Sequence, residues 1–249
     1  DRISEVNIKD LRAWCNISCG NDSANPINHM NRYSYTQEIK LYLNGQILKN
    51  LIIPDGITSI ANGLFYNCLG LESVVISDSV TSIGDNAFSK CFDLTSVTMG
   101  KGVAAIGKDS FKDCYSLKNI TVSNDNATYA SQDGILYNKS KTEILLVPYN
   151  LMGAVTIPDG ITSIPNDTFF SRANLTSITL PASLTSIGEN AFQKCGGLKS
   201  ITASNDNATY ASQDGILYNK AKTEFVYIPT SITGAVNIPY GMTSIPHSA

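Results

Sequence analysis

Phenylalanine returns at intervals of 23 residues at Phe65, Phe88 and Phe111, and again at Phe169 and Phe192. A fixed period of between about 20 and 50 residues restricts a chain to folds that stack one unit on the next, because a single unit cannot bury its own apolar face. The rest of the pattern keeps the same step. L-x-x-[LIV]-x-[aliphatic] begins at Leu48, Leu71, Leu94 and Leu117, with Leu51/Ile53, Val74/Ile76, Val97/Met99 and Ile120/Val122 as inner partners, and returns at Leu175 and Leu198. A second short motif follows each, as in Ile57-Thr58-Ser59-Ile60, Val80-Thr81-Ser82-Ile83 and Leu184-Thr185-Ser186-Ile187. Equal side chains in equal places predict one elongated core with a stacked phenylalanine spine, its strands about 4.8 Å apart in a parallel ladder.

This layout is a leucine-rich-repeat solenoid, mostly β, whose ladder strands are joined by short turns, 3-10 or helical segments. Two intervals, Leu117 to Met152 and Leu198 to Thr233, are 35 residues rather than 23, and the insertion Ser123 to Lys139 recurs unchanged as Ser204 to Lys220, so an 81-residue unit is duplicated. Inside it, Gly134-Ile135-Leu136-Tyr137 and Glu143-Ile144-Leu145-Leu146-Val147 flank a polar turn before Pro148, which predicts a β-hairpin that widens the coil. Residues 1–40 do not match the repeat and are expected to cap the first coil with a short helix, while 41–249 form the solenoid. Ile8, Leu11 and Cys15 follow helical spacing, with Trp14 beside them, and this face is expected to lie against Leu41, Leu43 and Leu48. At the other end Met242 to Ala249 aligns with Ile161 to Thr168, one residue short of a spine phenylalanine, so the chain is expected to be cut in mid-repeat.

Composition removes several function classes. Only 16% of residues are charged, the net charge is −3, and Lys and Arg form no basic stripe, which excludes nucleic acid as a partner. No apolar run reaches the roughly 20 residues of a membrane span, and Asp-Arg-Ile-Ser at the start is not a secretory signal, so any export signal is expected to have been removed. Abundant Asn, Ser and Thr suit a polar surface facing the medium.

The candidate chemical sites have plainer readings. Cys68, Cys91, Cys114 and Cys195 each sit three residues after a spine phenylalanine, a position set by the repeat, and are expected to be compact core residues, although neighbouring coils could bring such thiols within disulfide range. Cys15 and Cys19 are not expected to pair, and with no C-x-x-C pair and both histidines remote in sequence, zinc is not expected. Gly100-Lys101-Gly102-Val103-Ala104-Ala105 fits the dinucleotide pattern G-x-G-x-x-[GA], but lacks the long helix that would face a pyrophosphate. Asp125, Asn126 and Asp133, with their copies Asp206, Asn207 and Asp214, could offer oxygens to calcium, yet their spacing fits no EF-hand and Asn and Asp equally serve turns. A Ser-His-Asp site would need His29 or His247, and no enzyme is expected. The sequons, Asn126-Ala127-Thr128 among them, follow from composition. No cofactor and no metal is anticipated.

The full signature, L-x-x-[IV]-x-[aliphatic] followed by [IV]-T-S-I-G-x-x-A-F-x-x-C, stands almost complete at Leu71 to Cys91 and at Leu175 to Cys195. It resembles the BspA-type leucine-rich repeats, as do the insertion Asp133-Gly134-Ile135-Leu136-Tyr137-Asn138 and the stretch Asp10-Leu11-Arg12-Ala13-Trp14-Cys15-Asn16-Ile17. The resemblance implies a right-handed solenoid, exposure at the surface of host-associated bacteria or parasitic protists, adhesion to host proteins or other cells, and no shared catalytic residue or cofactor. The sequence departs from the pattern at Arg172, where Cys is expected, and at Cys19, where a bulkier apolar residue is usual.

The ligand surface is expected on the outward side of the ladder. Strand alternation turns the third and fifth motif positions to solvent: Asn50 and Ile52, Ser73 and Val75, Ser96 and Thr98, Asn119 and Thr121, Ser177 and Thr179, Ser200 and Thr202. Tyr137 and Tyr218 are expected to join this face from the insertions, with Tyr129, Tyr149, Tyr210 and Tyr227 available nearby, although tyrosines could equally cover the hairpins. The expected function is extracellular or cell-surface recognition of a protein or glycan by a monomer, and the alternative is a stalk that holds another domain away from the envelope. The outward Thr residues also suit an exposed strand without any ligand.

Overall fold

The computed structural model describes residues 5–17 and 39–242, which fall in two compact units divided between Ser131 and Gln132. Cys19, His29, His247 and the stretch from Thr243 onward lie outside the described residues.

The first unit carries the parallel ladder Asn50–Ile52, Ser73–Ile76, Ser96–Met99 and Asn119–Val122. Its register steps by 23, so Asn50 faces Ser73, Ser73 faces Ser96 and Ser96 faces Asn119. Burial alternates along each strand: Val74 and Ile76, Val97 and Met99, Ile120 and Val122 are inside. The T-S-I motif builds a second ladder, Ser59–Ile60, Ser82–Ile83 and Ala105–Ile106. Ile60 and Ile83 are buried and Ile106 half-buried, and Thr81 Oγ1 donates to the Thr58 carbonyl of the preceding coil at 2.9 Å, so the threonine before the strand ties coils together. On the third side the rings stack as expected: Phe65 to Phe88 at 5.3 Å and 4°, and Phe88 to Phe111 at 5.5 Å and 2°.

At the start of this unit Asp10 caps the helix Leu11–Cys15, its carboxylate accepting from the Arg12 and Ala13 amides at 2.9 and 3.1 Å. Trp14 and Cys15 are buried. Ile8 is not helical. It ends the strand Glu5–Ile8, which pairs in parallel with Ile39–Leu43 and sets Val6 beside Leu41 and Ile8 beside Leu43. The helical spacing of Ile8 with Leu11 and Cys15 is coincidental, because Asp10 is the better helix start and the residues before it are free to join a sheet edge.

The second unit repeats the plan with the ladder Gly153–Thr156, Leu175–Leu180 and Ser200–Ala203, a shorter pair Ser163–Ile164 and Ser186–Ile187, and Phe169 stacked on Phe192 at 5.7 Å. Its first coil departs from the expected alignment. Met152 is exposed and Leu151 is buried with Leu175 and Leu198, because the register shifts at Gly153. A bulge there moves the leading apolar position back by one residue.

The hairpin expected from residues 134–147 is present, Ile135–Asn138 pairing antiparallel with Ile144–Leu146. In both copies it belongs to a three-stranded sheet, one strand more than the sequence pattern predicts: Tyr129–Gln132 is added in the first, and the second runs Tyr210–Gln213, Ile216–Asn219 and Phe225–Tyr227 as a meander. The middle strands are buried on both faces. Tyr137 and Tyr218 are therefore 0% exposed, not part of an outer surface. Leu217 enters the core with Leu198 and Ile201 while Tyr218 points to the other side of its strand, its ring 5.2 Å from that of Phe225. The sequence offered alternation, which assumes one wet face, whereas this strand has none.

Candidate functional site

Inward commitment of alternate residues leaves two outward rows on the first unit's ladder. The first holds Asn50, Ser73, Ser96 and Asn119, and the second, in paired register, Ile52, Val75, Thr98 and Thr121. Asn50, Thr98, Asn119 and Thr121 are exposed, Ser73 and Ser96 half-buried. Some of this polarity is spent internally. Ser73 Oγ donates to Asn50 Oδ1 at 2.7 Å, and Asn119 Nδ2 donates to Thr121 Oγ1 at 3.0 Å. The second unit's ladder turns Thr179 and Thr202 fully outward, with Ser177 and Ser200 half-buried beside them.

The second row of the first unit is not uniformly hydroxylic. Ile52 is 63% and Val75 39% exposed, and both line a groove of about 470 Å³ with Pro54, Thr98, Gly100 and Thr121. Asp55 and Asp78 also line it. Asp78 receives the Lys101 amide at 2.9 Å and lies 3.9 Å from its ammonium, while Asp55 makes no ion pair among the described residues. Sequence alternation had turned Ile52 and Val75 outward without marking them as ligand residues. The available signal was the loss of the aliphatic character at the same position in later coils, where Thr98 and Thr121 stand.

The family model described as the BspA type leucine rich repeat region matches residues 38–152 and 148–247, with six copies. The chain belongs to this family. Among solved structures, it is 36% identical to a leucine rich cell surface protein from Faecalibacterium prausnitzii A2-165, with a TM-score of 0.49, covering 61% of this chain and 41% of that one. Against the pneumococcal vaccine antigen PcpA the identity is 22%, the TM-score 0.46 and the coverage 68% and 46%. A leucine-rich repeat protein from Eubacterium ventriosum ATCC 27560 gives 21%, 0.37, and 67% and 61%. The chain thus spans less than half the length of the first two. No curated protein matches it.

The BspA-type repeat also accounts for the residues that resembled chemical sites. Gly102 is set by packing: a Cβ there would lie 2.1 Å from the Asp78 carbonyl oxygen, so the glycines of the dinucleotide-like run serve the approach of one coil to the next. Asn126 is 0% exposed, its Nδ2 donating to the Gly100 and Val103 carbonyls at 3.0 and 2.9 Å and its Oδ1 accepting from the Thr128 and Tyr129 amides at 2.9 and 2.7 Å. Its amide is fully engaged by backbone. Arg172, in the cysteine slot, is buried and places its guanidinium 4.6 Å from the Tyr149 ring, donating to the Phe170 and Val147 carbonyls at 2.6 and 2.9 Å. Burial lowers its pKa, and two carbonyls and the ring face the charge while no acid pairs with it among the described residues.

The ladder thiols are free and buried. Cys91 and Cys114 each donate to the carbonyl of the spine phenylalanine one coil back, Phe65 and Phe88, at 3.1 Å, and Cys195 donates to that of Phe169 at 2.9 Å. Burial pushes Cys68 and Cys114 up to about 12 and Cys15 to about 11, and Cys91 well above its ordinary range. A thiol reagent at pH 8 is therefore expected to leave Cys15, Cys68, Cys91, Cys114 and Cys195 unmodified in the native chain and to react with all of them in denaturant. Fast native reaction of more than one thiol would contradict this placement, since Cys19 alone stands outside the set. These thiols hold their protons more tightly folded than unfolded, so their stabilising contribution is complete below the unfolded thiol value of about 8.5 and is lost as pH climbs toward about 12.

Proposed function

We propose that this chain is a non-catalytic recognition module, exposed outside the cell or at its surface, which binds a protein or glycan partner through the outward faces of its strand ladders and does so as a monomer. One observation carries the reading. In each unit the third and fifth motif positions stand side by side in rows, and exposed threonines pair in register, Thr98 with Thr121 and Thr179 with Thr202, so small polar side chains line a surface that reaches across adjacent coils. Membership of the BspA-type family supports it, because repeat proteins of this build present surfaces rather than enclose reactants. Among the described residues no helix is long and apolar enough to cross a membrane.

The test is a pulldown against extracellular-matrix proteins and mucins with Ser96, Thr98, Thr121 and Thr179 all replaced by Lys. Four long cations across these rows are expected to abolish capture of any partner held by the face, while far-UV circular dichroism stays that of the native chain because all four sites are outward. Capture of every partner as well as by the wild type would remove the ladder face from the function.

A further inference from the structure

The first unit's groove differs from the rest of the ladder in ways that bear on what it can hold. Its row begins with Ile52 and Val75, aliphatic side chains that no described residue covers, and passes to Thr98 and Thr121. None of its lining residues is aromatic. Sugars are gripped by aromatic faces that stack on their C–H-rich side and by dense arrays of amides and carboxylates around their hydroxyls. The floor offers no aromatic face, and the two amides of the neighbouring row, Asn50 and Asn119, already bond Ser73 and Thr121. Along one rim stand Asp55 and Asp78, one coil apart, with Lys101 engaging only the second. The opposite row, Asn50, Ser73, Ser96 and Asn119, is uncharged.

We propose that this groove takes a polypeptide segment that presents an aliphatic side chain next to a lysine or arginine. The aliphatic group covers Ile52 and Val75, removing apolar surface from water, and the cation meets Asp55 and the outer side of Asp78. The hydroxyl-bearing end of the row, Thr98 and Thr121, serves the segment's backbone, as side chains of this kind commonly do at protein interfaces. Charge complementarity decides the choice of partner: a segment with an acidic residue in that place would set like charges together at the rim. This inference rests on the reading of the ladder face as the recognition surface and narrows it from any protein or glycan to one chemistry.

The experiment pans a random dodecapeptide phage library on the immobilised full chain, then measures the synthesised winners by fluorescence anisotropy. Winners are expected to carry Leu, Ile or Val beside Lys or Arg. Their affinity is expected to fall about tenfold in the double variant Ile52→Ser/Val75→Ser, and severalfold in Asp55→Asn/Asp78→Asn, with the second loss shrinking as salt is raised. The amide in the latter variant can still accept the Lys101 backbone bond, so the loop keeps its shape. Should the serine pair lower the melting temperature, Ile52→Thr replaces it, since Thr already stands at that position in later coils.

Winners without a basic residue, or winners bound equally by both double variants, overturn the proposal. So does a glycan probe, N-acetyllactosamine or a mucin O-glycan, whose binding is abolished by the groove variants while no peptide is enriched. The two readings fail separately. Binding lost on replacing Thr179 by Lys but untouched at Ile52 and Val75 refutes the groove and keeps the ladder face, whereas binding indifferent to both sets refutes both.

Discussion

Phe88→Ala is expected to lower the free energy of unfolding by about 3 to 5 kcal/mol, the range for emptying a packed aromatic site. Phe88 is 0% exposed and lies between two parallel rings, Phe65 at 5.3 Å and Phe111 at 5.5 Å. Truncation removes both stacking contacts, each worth about 0.5 to 1.5 kcal/mol beyond burial, and leaves a void that neighbouring coils cannot close. They are held at fixed spacing by their own backbone bonds, Phe65 N–H to the Ala87 carbonyl at 2.9 Å and Phe88 N–H to that of Ser110 at 2.8 Å. In a stacked-repeat protein the damage falls on the coupling between adjacent coils, so cooperativity should suffer as well as stability. Urea unfolding followed by circular dichroism is expected to show an earlier midpoint and a broader transition than in the conservative Phe88→Leu. A Phe88→Ala variant within about 1 kcal/mol of the wild type would mean that the spine packs without contributing to stability, against the usual behaviour of buried aromatics.

The spine shows what a repeated sequence makes legible. Because each strand pairs with its counterpart one period away, a single number fixes register, ladder and core together, and the Phe65, Phe88 and Phe111 slots follow from it. Legibility fails where the period does. Met152 was the expected leading position after the insertion, but counting by 23 cannot detect a bulge, and Leu151 is inside instead. Tyr137 and Tyr218 were expected outside because tyrosine carries a polar tip and alternation allows an outer face. The strand that holds each is covered on both sides, so the ring enters the interior and burial pushes its phenol pKa up. Of the proposed ligand surface, the outward rows were readable from alternation, but the apolar groove at Ile52 and Val75 was not, because it depends on which side chains remain uncovered once the coils are in place.

Asn207 illustrates the same limit at a polar residue, and its replacement is expected to be nearly as damaging as that of the spine. It resembled a glycosylation acceptor or a calcium ligand in sequence, but it is 0% exposed. Its Nδ2 donates to the carbonyls of Pro181 and Leu184 in the preceding coil at 2.8 and 2.9 Å, and its Oδ1 accepts from the Thr209 and Tyr210 amides at 2.8 and 2.6 Å. One side chain therefore satisfies four backbone groups and fastens the start of the insertion to the coil before it. Asn207→Leu keeps the number and branching of side-chain heavy atoms, though its methyls are bulkier, and strands all four; at about 1 to 3 kcal/mol for each buried group left unsatisfied, with relaxation and entering water reducing the sum, a loss of about 3 to 5 kcal/mol is expected. Asn207→Asp separates the two halves of the bond set. Its oxygens still accept from the two amides, which favours the ionised form, but complete burial and two facing carbonyls oppose it more strongly, so its folded pKa is expected above the unfolded value of about 3.9. The fold then favours the protonated acid, which can donate to one carbonyl; the deficit relative to wild type is smallest below that unfolded value and grows as pH rises toward neutrality. Melting of the two chains side by side between pH 4 and pH 7 reads this directly. A gap that stays constant across the range, or an Asn207→Leu chain as stable as wild type, would show that backbone and water satisfy these groups without the amide.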